Sequence, residues 1–154
     1  MPLKTGKLMD ADRAMLTSVL DRLVPAVDDL PSAGKMGLGS KVEQLSQKSE
    51  PFKSALLRVL DAFSLDPTTH ASGGFLSLPE DERDAAIREV EEAMPGVFSK
   101  FLELVYIVYY SEPQVHQRIG WQGGPVQPKG FALAPFDESI LEKAKTRREF
   151  WRKV

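Results

Sequence analysis

Met94–Trp121 reads MPGVFSKFLELVYIVYYSEPQVHQRIGW. Pro95 suits a first helical turn, where the missing N–H would have had no partner in the helix anyway. From Val97 to Tyr110 apolar side chains recur on every side. Phe98, Leu102, Val105 and Tyr109 share one face, while Phe101, Leu104, Tyr106 and Val108 cover the others. A helix apolar all round is buried all round, so the stretch predicts the central helix of a bundle, or a helix shared with a partner chain. Lys100 and Glu103 interrupt it, and the run is shorter than the roughly 20 residues that cross a bilayer. No transmembrane segment is expected. After Tyr110 the pattern breaks into a polar segment punctuated by Pro113 and closed by Gly120-Trp121.

Working outward, amphipathic stripes predict further helices. Met15, Leu16, Val19, Leu20, Leu23 and Val24 form one over residues 10–24, with Asp10 as the cap and Pro25 as the stop. Two prolines and three glycines make PAVDDLPSAGKMGLG a loop, in which Asp28 and Asp29 offer a cation or cap site, or simply a solvated turn. Ser40 and Glu43 have capping-box spacing for a short helix to about Gln47. Ser49-Glu50-Pro51 opens a stronger one, its core face set by Phe52, Ala55, Leu56, Val59, Leu60 and Phe63. Ser64–Leu78 reads as a long connection, which points to function or mobility. Pro79 then starts a helix with Glu80, Asp81 and Glu82 at its anion-favouring end, and Ala86, Ile87, Val90, Ala93 and Met94 as its stripe.

The expected fold class is all-α: one domain of five or six helices, with a helical core over about residues 10–119. An extended arm over about 120–136 carries too many prolines and glycines for a helix, yet spaces Val126, Phe131, Leu133 and Phe136 along its length. Asp137 caps a last helix to about residue 152, with Ile140, Leu141 and Ala144 inward and a basic end of Lys143, Lys145, Arg147, Arg148, Arg152 and Lys153.

A chain of 154 residues buries roughly 68–70% of its unfolded surface and needs no staples. Net charge is -2, which argues against a general nucleic-acid binder. With no cysteine, disulfides, thiolate nucleophiles and zinc–thiolate sites are all excluded. MPLKTGKLMDADRAML has no apolar signal core and no twin arginine. That predicts a cytoplasmic chain, or a periplasmic one if the sequence is truncated or a partner carries it.

Proton-transfer chemistry draws on histidine first, and there are two, His70 and His116. Glu112 and His116 have helical ligand spacing, but no second His or Cys completes a metal site. Gly37-Leu38-Gly39 lacks the third glycine of a dinucleotide loop, Gly73-Gly74 lacks the lysine of a P-loop, and no serine sits in Gly-x-Ser-x-Gly. No catalytic residue, metal ligand or cofactor-binding residue is therefore assigned. The aromatic cluster Tyr106, Tyr109, Tyr110 and Trp121 admits two readings, ordinary core and helix-end packing or a partner surface, since Tyr and Trp are enriched at interface hot spots.

Tyr109-Tyr110-Ser111-Glu112-Pro113, Gly120-Trp121 and Gly124-Pro125, in that order, resemble the C-terminal signature of the small subunit (subunit 3, or gamma subunit) of gluconate 2-dehydrogenase. Leu16–Pro25, LTSVLDRLVP, is similar to that family's opening helix, and Phe75–Glu80, FLSLPE, to its lead into the third main helix. The resemblance covers roughly residues 10–130. It implies a non-catalytic subunit with no cofactor of its own. Its partner would be a large flavin-dependent dehydrogenase of the glucose–methanol–choline type that carries the FAD and oxidises a sugar, sugar acid or alcohol. A cytochrome c subunit often accompanies the pair. Family members commonly supply a twin-arginine export signal, and the basic C-terminal helix has no counterpart in the family pattern. Tyr109, Tyr110, Pro113, Trp121, Pro125, Phe131 and Phe136 are the expected partner interface. Two other functions are compatible with the residues: a stand-alone module binding a protein or an anion through its basic C-terminal helix, and an enzyme using His70 or His116.

Overall fold

The first apolar stripe becomes α1, Asp10–Leu23, which buries Met15, Leu16, Val19 and Leu20. Its cap is not Asp10. Met9 holds the N-cap position, and Asp12 turns back to accept the Met9 N–H at 3.0 Å. Asp10, in the first helical position, pairs with Arg13 at 3.1 Å. The computed structural model describes residues 8–121, 123, 130 and 135–148. The chain divides into two units, Met1–Gln122 and Gly123–Val154.

In the first unit the loop after α1 is tied closely to it. Val27 and Leu30 exchange backbone hydrogen bonds of 3.0 and 2.9 Å, which places Asp28 at φ +52°. Gly34 lies directly on α1, where a Cβ would stand 2.3 Å from the Thr17 carbonyl oxygen, so the close approach requires glycine. α2, Gly39–Ser46, begins behind Leu38, and the Ser40–Glu43 capping box is not made. The Ser40 hydroxyl donates to the Gly37 carbonyl at 3.3 Å, and Glu43 takes two bonds from Arg13, at 2.9 and 3.1 Å. A long-range ion pair has drawn Glu43 away from the helix end.

α3, Glu50–Leu65, buries Ala55, Leu56, Val59, Leu60 and Phe63 as the pattern predicts. Phe52, expected with them, is half-buried, with the Lys100 Nζ 5.7 Å from its ring centre. The connection expected over Ser64–Leu78 is instead structured. It contains α4, Pro67–Ala71, and a 3-10 turn, Phe75–Ser77. Asp66 caps α4 by accepting the Thr69 N–H at 2.7 Å, with Pro67 in the first position. The 3-10 turn returns Phe75 to the core, its ring 4.9 Å from that of Phe63.

α5, Glu80–Ala93, buries Ala86, Ile87 and Val90, whereas Ala93 is exposed and Met94 half-buried, so the stripe ends a turn early. Arg22 ties α5 to α1 through two bonds of 2.6 Å to Asp84 and one of 2.8 Å to Glu80. The Arg22 hydrogen bond and charge hold the Asp84 carboxyl below the usual carboxylate range. A folded-state value depressed in this way gives stability that is present above the ordinary value of about 3.9 and is lost as pH falls through the folded one. Asp84→Asn is therefore expected to lower the urea midpoint at neutral pH. The two chains' midpoints should converge as the pH drops below that ordinary value, which a pH series of urea melts would check.

α6, Pro95–Tyr109, is the central element and packs most extensively on α3, then on α2 and α5. Phe98, Phe101, Leu104, Val105 and Val108 face this core. α7, Pro113–Arg118, follows after three residues.

In the second unit Asp137 accepts the Ser139 N–H at 3.0 Å and starts α8, Ser139–Lys145. This helix is shorter than expected, ending where Thr146 turns its hydroxyl onto the Lys143 carbonyl at 3.1 Å. Ile140 and Leu141, predicted inward, are exposed. The side chain of Ala144, and Arg152 and Lys153, lie outside the described residues. Among the described residues the fold is all-α, without a β-strand. It has two short helices, α4 and α7, beyond the six read from apolar stripes.

Candidate functional site

α6 is not buried on every side. Tyr106 and Ile107 are 43% and 42% exposed, and Tyr110, just past its end, is 53% exposed. The helix therefore has a core face and a second apolar face that the described chain leaves open. Tyr109 is half-buried between the two. The rings on the open side touch in series, Tyr106 to Tyr110 at 6.2 Å and Tyr110 edge-on to Tyr109 at 5.2 Å.

The Ser-Glu-Pro step turns the chain into α7. Ser111 donates its hydroxyl to the Ile107 carbonyl at 2.5 Å, Glu112 is the N-cap in extended geometry, and Pro113 opens the helix. Val115 is the residue of α7 that reaches the interior. The far end closes with Gly120 at φ +71°. Its N–H bonds the Gln117 carbonyl at 3.2 Å, and the Trp121 N–H bonds the His116 carbonyl at 2.9 Å. This paired arrangement is a Schellman cap, which wants glycine at that position and an apolar contact from the next residue back into the helix. Trp121 supplies it by packing edge-on against the His116 ring at 4.1 Å. The Gly-Trp pair thus has a structural reason, but the cap leaves Trp121 44% and neighbouring Ile119 58% exposed.

Of the residues expected at an interface, Tyr109, Tyr110, Pro113 and Trp121 lie on this stretch, and Pro113 is exposed. Phe136, 66% exposed, belongs to the second unit. Pro125 and Phe131 lie outside the described residues. Tyr106, weighed from the sequence both as core and as partner surface, is exposed beside Ile107, and Ile119 is exposed past the end of α7. The sequence singled out neither isoleucine, because an apolar pattern alone does not tell a core face from an open one.

Ion pairs flank α7 at both ends. Lys41 of α2 reaches Glu112, itself buried, at 2.5 Å. Arg118 pairs with Asp28 and, at 3.1 Å, with Asp29 on the tight turn after α1. Asp28 and Asp29 are thus arginine partners. Asp28 sits in the left-handed region, which is uncommon outside glycine but visited by aspartate more than by most residues.

The remaining candidates do not converge. His116 Nε2 lies 2.5 Å from the Tyr110 carbonyl while Glu112 is taken by Lys41, so the two do not share a site. His70 is exposed on α4. Among the described residues no group of three or more His, Asp or Glu is placed to hold a metal ion. A cleft of about 440 Å³ between α1, the following loop and α5 contains Asp21, Arg22, Lys35 and Arg83. Arg22 is held by Asp84 and Glu80, Asp21 accepts the Lys35 backbone N–H, and Arg83 donates to Ser18 and the Leu76 carbonyl.

The family model described as gluconate 2-dehydrogenase subunit 3 matches residues 10–125, which contain α1 to α7 and the whole aromatic stretch. The chain belongs to this family. Its members are subunits of a dehydrogenase complex. The match stops before α8, so the basic helix lies beyond the family segment. No curated protein and no solved structure gives a significant match. No helix among the described residues is long and apolar enough to cross a membrane.

Proposed function

We propose that this chain is the non-catalytic small subunit that binds and stabilises an FAD-dependent large subunit, which oxidises a sugar, sugar acid or alcohol. The observation that carries the reading is the open aromatic face of α6 and α7. Tyr106, Tyr110 and Trp121 sit inside the family segment, on the central helix α6, just past its end, and at the capped end of α7. A monomer gains nothing by leaving three large aromatic rings in water, whereas an interface core is enriched in such residues. FAD belongs to the large subunit in this reading, and a cytochrome c subunit is compatible with it.

The test is co-expression with an FAD-dependent dehydrogenase large subunit from the same genome. The expected result is a yellow complex that survives size exclusion, and a small subunit that folds when made alone but is poorly soluble, aggregating as its concentration is raised. A monodisperse chain that retains no flavoprotein would overturn the reading. A second reading rests on α8, where exposed Ile140 and Leu141 adjoin Lys143 and Lys145. In that case the chain alone would bind heparin or anionic vesicles, with steep loss in salt.

A further inference from the structure

We infer that the ion pairs at the two ends of α7 form a clasp that positions Trp121 and Ile119 for docking, so that Lys41, Glu112, Arg118, Asp28 and Asp29 are positioning residues for partner binding. The inference rests on the docking reading above.

α7 has six residues, Pro113–Arg118. Isolated helices of that length do not persist in water, so what surrounds α7 must hold it. Its apolar anchor is Val115, 1% exposed; Pro113, Gln114, Gln117 and Arg118 are exposed and His116 half-buried. One buried valine fixes the middle of the short helix, and backbone bonds from Ser111 to Val108 and from Glu112 to Tyr109 join its start to α6. The cap at its far end is internal to α7 and does not tie that end to the rest of the fold. The ion pairs act at both ends. At the start, Glu112 is 8% exposed and receives Lys41 from α2, 71 residues away in sequence. At the finish, Arg118 spans 90 residues to reach the turn after α1. That turn is locked by the reciprocal Val27–Leu30 bonds and holds Asp28 at φ +52°, a backbone state that aspartate seldom occupies. Arg118 immediately precedes Ile119, Gly120 and Trp121, the capped end whose side chains complete the aromatic face.

Exposed ion pairs add little to global stability, and Arg118, Asp28 and Asp29 are all substantially exposed. Their consequence is positional. A preorganised face avoids ordering costs at the moment of binding. The apolar face itself has no reason to respond to salt, but the exposed Arg118–Asp28 and Arg118–Asp29 pairs are screened by it, more than the half-buried Lys41–Glu112 pair, the Debye length being about 10 Å at 0.1 M. The inference therefore assigns a salt-sensitive affinity to a surface whose contact residues are aromatic and aliphatic.

The experiment uses the full chain with Trp151→Phe, which leaves Trp121 as the sole tryptophan, in the free state and with the large subunit. Asp28→Asn with Asp29→Asn keeps side-chain shape and tolerates the left-handed backbone; Arg118→Gln and Lys41→Gln remove the cations. Expected are unchanged far-UV circular dichroism and greater acrylamide quenching of Trp121. Affinity for the large subunit should fall about tenfold, about 1.4 kcal/mol, and the loss of affinity in salt seen for the parent chain should be blunted. Unchanged quenching in the Arg118 and Lys41 variants overturns the clasp whatever the complex does. If Trp121→Ala abolishes the complex while the charge variants bind like the parent, docking stands and the clasp falls. If Trp121→Ala binds like the parent, the docking reading falls and takes the clasp with it.

Discussion

Tyr110→Ala combined with Trp121→Ala is expected to weaken the proposed complex with the large subunit about a hundredfold or more, while the free chain keeps its helix content and melting temperature. Both side chains are about half in water, Tyr110 at 53% and Trp121 at 44% exposed. Their loss opens no cavity in the fold, and surface substitutions of this kind usually change stability by less than about 0.5 kcal/mol. At an interface the same rings matter more, because truncating a buried aromatic anchor costs about 2 kcal/mol or more. Each 1.4 kcal/mol is a factor of ten, and two such losses that are only partly additive give the hundredfold figure. Titrating labelled large subunit against the two small-subunit forms would measure it. Tyr110→Phe keeps the ring and should bind within a fewfold of the parent. Equal affinity for the double variant and the parent would place the interface elsewhere.

The parts of this fold that were legible in the sequence share a cause. α1, α3 and the inner face of α6 each bury four or five residues, and burial of one face imposes a helical period that the residues display. α4 and α7 bury one residue apiece, Thr69 and Val115, so no stripe exists to be read. Their signals were at the ends: Asp66 before Pro67, Glu112 before Pro113, and Gly120 after α7. The Ser40–Glu43 box failed for the opposite reason, because Arg13 claimed Glu43 from thirty residues away and local spacing carries no trace of that. The same holds for Arg118 with Asp28 and Asp29, which local reading had left as a solvated turn or a cation site. At the candidate site, the chain order Tyr-Ser-Glu-Pro and Gly-Trp was informative because backbone geometry needs those residues there. Ile119 was not, since nothing around it in sequence distinguishes a capped helix end facing a partner from one facing the core.

α6 has two apolar faces, and substitutions one on each should separate folding from binding within a single helix. Phe101 is fully buried at its centre, 6.1 Å from the Phe98 ring, on the helix that packs against α2, α3 and α5. Phe101→Ala removes most of a ring from the place where these helices meet, and such truncations cost about 3–5 kcal/mol. Against a total stability of about 5–15 kcal/mol, that loss should lower the melting temperature by roughly 10–20 °C. Phe101→Leu, which keeps most of the volume, should cost under about 1.5 kcal/mol. Five residues on, Tyr106 is 43% exposed, and Tyr106→Ala should leave the melting temperature within a degree or two while weakening association with the large subunit. Calorimetry on the free chains and titration on the complexes separate the two effects. Were Tyr106→Ala to unfold the chain as Phe101→Ala does, the open face would be part of the core, and the case for a partner on it would lose its footing. A cold-sensitive or aggregating Phe101→Ala chain that recovers when the large subunit is present would show the converse: binding energy from the outer face offsetting a defect in the inner one, as expected for a ligand that binds only the folded state.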